Sequence, residues 1–312
     1  MSPAVAVIDI GSNSIKVLVA ALDPAGTVTN LKSKTIDARI SAGISKAEPR
    51  LSEEGMACGL TAIKELLAEA APFTPVRTVL VATSAVRDAV NGEEFSTRVK
   101  AATGHDIRIL RGEEEANFIG RGLTCDPALA AMQDFFVFDL GGGSLECLVF
   151  NERHIKQAGS LQLGCVRLTE RFIKDHQAAL QPAACTALAK HVRDELKRSG
   201  LRFPVVAPPA IFAGGSMSTV RAIKGARHGL ALEDTPAVIG TDTLSQLLDE
   251  LAPMTLEERK AVPGLPAARA DVFPAALITM ITVADYAHID RFHHSLHNLR
   301  WGLAAEALAS PL

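Results

Sequence analysis

The feature that most constrains the fold of this chain is a hairpin-like stretch that occurs twice, at residues 5–20 and at residues 135–150. Each copy has an apolar run, an Asp, a turn rich in Gly and Ser, and a second apolar run. This order predicts two strands joined by a tight polar turn. A hairpin repeated at this separation indicates a duplication at domain scale, in which each half continues with alternating strands and helices.

The two turns contain the residue types of an anion-binding loop, and Asp9 aligns with Asp139 as Gly11 does with Gly141. Glycines let backbone N–H groups turn toward one point and approach an anion closely. Two ordinary Gly-rich hairpins are the alternative, but the shared Asp-x-Gly spacing favours phosphate binding. The residues expected to bind phosphate are Gly11, Ser12, Asn13, Ser14, Gly141, Gly142, Gly143 and Ser144.

An acidic residue precedes each turn. A carboxylate beside a phosphate site repels the anion unless a cation lies between them. Asp9 and Asp139 therefore indicate Mg²⁺, which binds few carboxylates and keeps much of its water, with Mn²⁺ as the alternative metal.

Composition limits the other classes of function. The 312 residues, 48% of them hydrophobic, are enough for two domains, and the net charge of −3 gives no global footprint for nucleic acid or membrane. No run approaches the ~20 apolar residues of a transmembrane helix. The N-terminus has no basic lead, so no signal peptide is expected. Five scattered cysteines without metal-ligand spacing indicate a reduced, cytoplasmic protein.

Arg87 follows a predicted buried strand at residues 79–82 and stands at the start of a helix. Open α/β sheets bind ligands at the carboxyl ends of their strands. A phosphate-binding role and a solvated helix charge are both open for this residue.

Three consecutive acids, Glu113, Glu114 and Glu115, follow a predicted strand at residues 106–110 and begin a helix. Acids in a first helical turn interact favourably with the helix dipole. The other interpretation is that one Glu orients and deprotonates a water that attacks a phosphoryl group. The pattern alone leaves both open.

The second half contains a further strand, Gly/Ser turn and helix at residues 210–222, compatible with an anion or a nucleoside. Near the C-terminus, His293 and His297 have the spacing of zinc ligands on one helix face. Because no HExxH arrangement accompanies them, structural or solvated histidines are favoured, and the role of His294 stays open.

With these motifs placed, the chain resembles the Ppx/GppA phosphatase family, the exopolyphosphatases and guanosine pentaphosphate phosphatases of the actin/Hsp70/sugar-kinase fold. The resemblance runs through nearly the whole chain. It rests on both hairpin motifs and on the blocks at residues 82–87, 111–116 and 163–170.

The resemblance implies an α/β protein of two actin-like (ribonuclease H-like) domains with a central cleft, in the short two-domain form. Domain I is expected at residues 1–125, with a C-terminal helix at about 295–312 packing back on it, and domain II at residues 126–294.

The resemblance also implies roles for single residues. Glu115 matches the catalytic Glu, and its neighbour Glu114 is the next candidate. Arg39, Arg87 and Arg300 match arginines of the phosphate site. Asp139 matches a carboxylate that organises metal and water, with Asp9 and Glu146 as helpers.

Two departures from the family pattern stand out. Ser218 occupies a place where many relatives have Gly, which puts nucleotide contact by the turn near residue 214 in doubt. The C-terminal block reads Leu299-Arg-Trp-Gly302 instead of Leu-Arg-Glu-Gly, so from this block only Arg300 carries over.

The predicted function is Mg²⁺-dependent release of terminal orthophosphate from inorganic polyphosphate. The alternatives are a guanosine pentaphosphate (pppGpp) 5′-phosphohydrolase and a non-catalytic sensor that binds polyphosphate or guanosine penta- or tetraphosphate. Transfer of phosphate from polyphosphate to ADP is a further enzymatic alternative. No nucleic acid or membrane partner is expected, and the sequence leaves a homodimer open.

Overall fold

The computed structural model describes residues 3–204 and 207–309 and separates into two compact units. The first unit contains the N-terminal segment up to Ala131 and the segment from His297, and the second unit is Met132–Leu296. The predicted limits are 1–125 with about 295–312 for the first domain and 126–294 for the second, so the division between the units falls within a few residues of them. The predicted domain boundaries stay a prediction.

The strands of the first unit are β1 (Ala4–Ile10), β2 (Ile15–Leu22), β3 (Val28–Ile36), β4 (Arg77–Ala82) and β5 (Ile107–Ile109). They form a five-stranded sheet in the order β3-β2-β1-β4-β5. The pairs β1–β2 and β2–β3 are antiparallel, whereas β1–β4 and β4–β5 are parallel. The first predicted hairpin is therefore confirmed as β1–β2.

The strands of the second unit are β6 (Phe135–Leu140), β7 (Leu145–Asn151), β8 (His154–Leu161), β9 (Ala210–Ala213), β10 (Val238–Gly240) and β11 (Arg291–His294). Their order is β10-β11-β9-β6-β7-β8. Read from β8, the first five strands repeat the pairing of the first sheet, and β10 is an added antiparallel edge. The predicted duplication is thus confirmed.

The helices, in chain order, are α1 (Glu53–Ala70), α2 (Ser84–Arg87), α3 (Gly92–Thr103), α4 (Gly112–Thr124), α5 (Cys165–Phe172), α6 (Pro182–Arg198), α7 (Gly215–Arg227), α8 (Thr241–Leu251), α9 (Leu256–Lys260), α10 (Phe273–Ala287) and α11 (Leu299–Ala309). Short 3-10 turns lie at Ala71–Phe73, Pro127–Leu129 and Ala267–Arg269. The described residues include no helix long and apolar enough to span a membrane.

Local sequence explains where several helices begin. Ser52 caps α1, because its hydroxyl oxygen accepts the N–H of Gly55 at 3.0 Å. Thr255 caps α9 in the same way and forms a capping box with Glu258. Helix α10 is buried along almost its whole length, as its apolar composition predicts.

Helix α11 packs against α4, β1 and β2 in the first unit. The α4–α11 crossing is close at Gly122 and Gly302, where an added Cβ would lie 2.0 Å from a backbone oxygen of the neighbouring segment. Leu299 and Leu303 are buried in this contact. The helix begins at Leu299, so residues 295–298 of the predicted C-terminal helix lie outside it.

Candidate active site

Both hairpin turns have the same backbone geometry. Residues 11–14 and 141–144 each connect the last paired residues of two antiparallel strands. The N–H of Gly11 donates to the carbonyl of Ser14 at 3.2 Å, and the N–H of Gly141 donates to that of Ser144 at 3.0 Å. The alignment of the two motifs therefore corresponds to two closely similar four-residue loops.

The loop of the first unit is held by two neighbouring segments. The hydroxyls of Ser12 and Ser84 are hydrogen-bonded at 3.1 Å, which ties the loop to the start of α2. Arg39 donates its backbone N–H to the carbonyl of Asn13 at 3.0 Å and its Nε to Oδ1 of the same residue at 3.1 Å. The remaining Asn13 donor, Nδ2, is buried and has no hydrogen-bond acceptor among the described residues. The loop therefore holds an unused donor.

The loop of the second unit packs against the start of α5. An added Cβ at Gly164 would lie 2.2 Å from the nitrogen of Gly143 and 2.3 Å from the carbonyl carbon of Gly142, so no other residue fits without displacement. Three loop carbonyls accept hydrogen bonds from α5. These bonds run from Cys165 N to Gly141 O (3.0 Å), from Val166 N to Gly142 O (2.9 Å) and from Arg167 Nε to Gly143 O (3.0 Å).

The predicted metal ligands differ between the units. Asp139 and Glu146 are directly opposite in the β6–β7 ladder and are buried, so two carboxylates lie on one sheet face. Glu146 Oε1 accepts the Ser160 hydroxyl at 2.7 Å, which orients it. Asp9 instead lies opposite Lys16, and an ammonium group there competes with a metal ion. The second unit therefore has the donor set that better suits Mg²⁺.

A third or fourth carboxylate is not needed for such a site. Across residues 3–204 and 207–309, no group of three or more His, Cys, Asp or Glu side chains is placed to hold a metal ion. Mg²⁺ usually binds one or two carboxylates, with waters and substrate phosphates filling its other positions. The Asp139 and Glu146 pair fits that pattern.

Gly214, at the end of β9, lies directly against Asp139. An added Cβ would be 2.2 Å from Asp139 Oδ1, and the φ of Gly214 is +87°, a region that favours glycine. The hydroxyl of Ser218 donates to the Gly214 carbonyl at 3.0 Å. Ser218, the departure from the family pattern, therefore stabilises the turn next to Asp139.

Arg87 and Glu115 form an ion pair within the first unit. Arg87 Nη1 donates to Glu115 Oε2 at 2.7 Å and to the Leu110 carbonyl at 3.0 Å, and its Nε is 3.4 Å from Asp88 Oδ1. Glu115 is buried, with 6% of its surface exposed. Arg87 is therefore an ion-paired side chain, 21% exposed, rather than a fully solvated helix charge, and its phosphate-binding role stays a prediction.

Glu114 lies at the surface end of the same helix. Its Oε2 accepts the backbone N–H of Arg111 at 3.0 Å, and its Oε1 accepts Nη2 of Arg108 at 3.1 Å. These hydrogen bonds lower the pKa of Glu114 to about 2, and the bond from the Arg111 backbone has the largest effect. Such a weak base, engaged in capping α4, is a poor candidate for proton abstraction.

Two further arginines, Arg300 and Arg269, contact backbone segments. Arg300 donates Nη1 to the Val17 carbonyl at 3.1 Å, a contact within the first unit. Arg269, which the sequence did not single out, lies over the start of α7, where an added Cβ at Gly215 would be 2.4 Å from its Nη2. Residues 266–269 read Pro-Ala-Ala-Arg, and no motif marks this arginine.

The histidine cluster has structural partners. His293 and His294 lie in strand β11, so His293 and His297 do not share a helix face. His297 Nδ1 is 3.4 Å from Asp126 Oδ2, and its ring is 3.8 Å from that of Trp301. The helical arrangement that a zinc site at His293 and His297 required is therefore absent.

His294 is buried between Arg221 and Ser218. Arg221 Nη1 donates to His294 Nδ1 at 3.0 Å. Because arginine has no acceptor, the hydrogen of His294 lies on Nε2, which donates to the Ser218 hydroxyl at 3.2 Å.

The order of strands and the two carboxylate-bearing hairpins define a duplicated α/β protein with two closely similar Gly/Ser loops. The sequence profile of the Ppx/GppA phosphatase family matches residues 18–310. The chain therefore belongs to the Ppx/GppA phosphatase family, and the predicted family membership and hydrolase class are confirmed.

Named relatives and solved structures agree with this assignment. Exopolyphosphatase 2 of Mycobacterium tuberculosis is 31% identical over 316 residues, covering 96% of this chain and 97% of that protein. Guanosine-5′-triphosphate,3′-diphosphate pyrophosphatase of Vibrio vulnificus is 29% identical, covering 99% of this chain but 60% of that protein.

A crystal structure of an exopolyphosphatase from Cytophaga hutchinsonii has a TM-score of 0.85 at 23% identity, covering 98% of this chain and 97% of that chain. At this identity the likeness concerns the fold, and it confirms the predicted actin-like α/β class.

Proposed function

We propose that the chain is a Mg²⁺-dependent exopolyphosphatase that releases orthophosphate from the ends of inorganic polyphosphate. The observation that carries the proposal lies in the Gly141–Ser144 loop. Helix α5 binds its first three carbonyls, so the N–H groups of residues 142–144 point away from α5. Such a loop suits the oxygens of a phosphate group. Polyphosphate is supported by the Mycobacterium tuberculosis relative, which aligns over nearly its full length.

Glu115 is the proposed base for the attacking water, and Arg87 holds its carboxylate in place. Arg87, Arg39 and the Asn13 amide supply donors in the first unit, and the N–H groups at residues 142–144 supply them in the second. Donors of this kind stabilise charge on a transferring phosphoryl group.

Asp139 and Glu146 are proposed to hold Mg²⁺, with Mn²⁺ as the alternative metal. When bound, this ion would neutralise phosphate charge. Asp9 is proposed as a helper of the metal ion, and Ser144, the last residue of the second loop, as a phosphate-binding residue.

The second candidate is a pppGpp 5′-phosphohydrolase, which the Vibrio vulnificus relative supports. The same donors and base serve both reactions, since each cleaves a terminal phosphoric anhydride. A sensor that binds without cleavage is the non-enzymatic alternative. Glu115 is buried and oriented by Arg87, an arrangement that suits a general base, and this favours catalysis over binding alone.

The test is phosphate release in Mg²⁺, with long-chain polyphosphate and pppGpp compared at equal concentrations of terminal groups. We expect release mainly from polyphosphate, and we expect Glu115→Gln to lower kcat by about 10²–10⁴-fold, the usual contribution of a general base. Glu113→Gln is the matched control, since Glu113 is exposed in the same helical turn.

Release mainly from pppGpp would assign the second candidate. Tight binding of either compound without release would make the protein a sensor. Turnover of Glu115→Gln equal to that of the wild type would exclude Glu115 as the base.

A further inference from the structure

Helix α5 binds three consecutive carbonyls of the second phosphate loop, but in two different ways. The carbonyls of Gly141 and Gly142 accept backbone N–H groups from the first turn of α5, at 2.9–3.2 Å. The third carbonyl, that of Gly143, accepts Nε of the Arg167 side chain at 3.0 Å. Arg167 is buried, with 8% of its surface exposed. The helix backbone therefore binds the first two loop carbonyls, and the Arg167 side chain binds the third.

The direction of each carbonyl determines the direction of the next N–H group. All described peptide bonds are trans, and a trans peptide points its C=O and N–H to opposite sides. Because the carbonyls of Gly141, Gly142 and Gly143 point to α5, the N–H groups of Gly142, Gly143 and Ser144 point away from it. None of these three N–H groups donates to a backbone carbonyl in the described chain.

A loop of three glycines does not keep this arrangement by itself. Glycine adopts positive and negative φ about equally well, so its peptide planes can rotate at little steric cost. The Gly143–Ser144 peptide is buried, and its carbonyl accepts none of the α5 backbone N–H groups that hold the other two. A charged donor makes a stronger hydrogen bond than a neutral one. Arg167 is therefore the group that selects one orientation of this peptide.

The first unit contains a similar arrangement. Its third loop residue, Asn13, aligns with Gly143, and the Asn13 carbonyl accepts the backbone N–H of Arg39 at 3.0 Å. Arg39 follows β3 and Arg167 follows β8, the corresponding strand of the second sheet. In both units, a residue after the third strand binds the same loop carbonyl, through its backbone N–H in the first unit and through the arginine side chain in the second.

We propose that Arg167 is a positioning residue that holds the Gly143 carbonyl so that the Ser144 N–H donates to a substrate phosphate oxygen. This inference rests on the proposed function, because it assigns the loop N–H groups to phosphate. Losing the bond frees the peptide to rotate, which removes a donor that acts on the charge developing during phosphoryl transfer. The loss is therefore expected in kcat more than in KM.

The experiment compares Arg167→Met, Arg167→Lys and the control Arg171→Met in phosphate release from polyphosphate. Arg171 lies one turn further along α5, where it contacts His191 and not the loop. We expect kcat to fall about 10–10²-fold in Arg167→Met and less in Arg167→Lys, which keeps one cationic donor. Arg171→Met is expected to match the wild type.

A second measurement follows the loop directly. With ¹⁵N-labelled Gly and Ser, pyrophosphate in Mg²⁺ is expected to shift the amide resonances of Gly143 and Ser144 in the wild type and in Arg171→Met. In Arg167→Lys the Ser144 shift is expected to shrink. This variant carries the test if Arg167→Met does not fold.

Wild-type kcat in a folded Arg167 variant, or an unchanged Ser144 shift in Arg167→Lys, would overturn the proposal. If the wild type cleaves neither polyphosphate nor pppGpp, the proposed function fails, whereas the pyrophosphate titration still tests the loop. Absence of any Gly143 or Ser144 shift in the wild type would overturn the positioning role by itself.

Discussion

Neighbouring residues in the first turn of α4 have different roles, although their side chains are chemically identical. Successive residues of an α-helix point in directions about 100° apart. Glu115 therefore lies inside the first unit, paired with Arg87, while Glu114 turns back to cap the helix and Glu113 is exposed. The ion pair makes Glu115 the better candidate base, and the capping bonds make Glu114 a poor one.

Capping by Glu114 predicts a particular pH dependence of stability. Its pKa is about 2 in the folded protein against an ordinary value of 4.5, so the folded state favours the carboxylate. The resulting stabilisation is complete above about pH 4.5 and is lost as the pH falls toward 2. Glu114→Gln should lower the urea midpoint at pH 7 and reduce the loss of stability between pH 4.5 and 2.

Glu113→Gln is the control for this measurement, since it removes an exposed acid from the same turn. Equal pH profiles for Glu114→Gln and the wild type would contradict the capping role.

At the scale of elements, α5 and the second hairpin form one packed piece of backbone. Gly164 makes the contact possible, because any side chain there would overlap the peptide between Gly142 and Gly143. The block around residue 164 thus supports the Gly141–Ser144 loop and also begins a helix.

Gly164→Ala is expected to lower the free energy of unfolding by about 1–3 kcal/mol, the usual cost of overpacking. Gly141→Ala, in the loop that Gly164 contacts, is the matched control, since its Cβ would meet its nearest atom at 3.6 Å, an ordinary contact. Urea unfolding followed by circular dichroism gives both values. Equal stabilities for the two variants would show that the loop moves away from α5 without cost.

At the scale of the whole molecule, the chain returns to the unit in which it began. Helix α11 follows the entire second unit in sequence but packs on α4, β1 and β2 of the first. Its buried leucines and the close crossing at Gly122 and Gly302 make it part of that unit's core.

A variant chain that ends at Leu296 should therefore lose stability in the first unit. Burial of Leu299 and Leu303 alone contributes roughly 3 kcal/mol or more, at about 1.5 kcal/mol or more for each leucine. A variant that ends at Ala309 keeps α11 and is expected to unfold like the full chain. Circular dichroism in urea distinguishes them, and coincident unfolding curves would contradict the role of α11.

The hairpins, the duplication and the family resemblance could be predicted from the sequence, because they depend on short local motifs. Both hairpins follow from apolar runs around a Gly/Ser turn, and the Ser52 cap of α1 is a contact between residues three apart. Turn residues and caps act through neighbours in the chain, so their effects need no tertiary contact. The duplication and the family resemblance followed from the same short motifs.

The tertiary structure decided which side chains meet. The Arg87–Glu115 pair joins residues 28 apart, and the Arg167–Gly143 bond joins residues 24 apart. Arg269 reaches Gly215 from a loop without a motif, and α11 crosses back to the first unit. No local propensity encodes such contacts, because they form only when the packing of sheets and helices brings distant segments together.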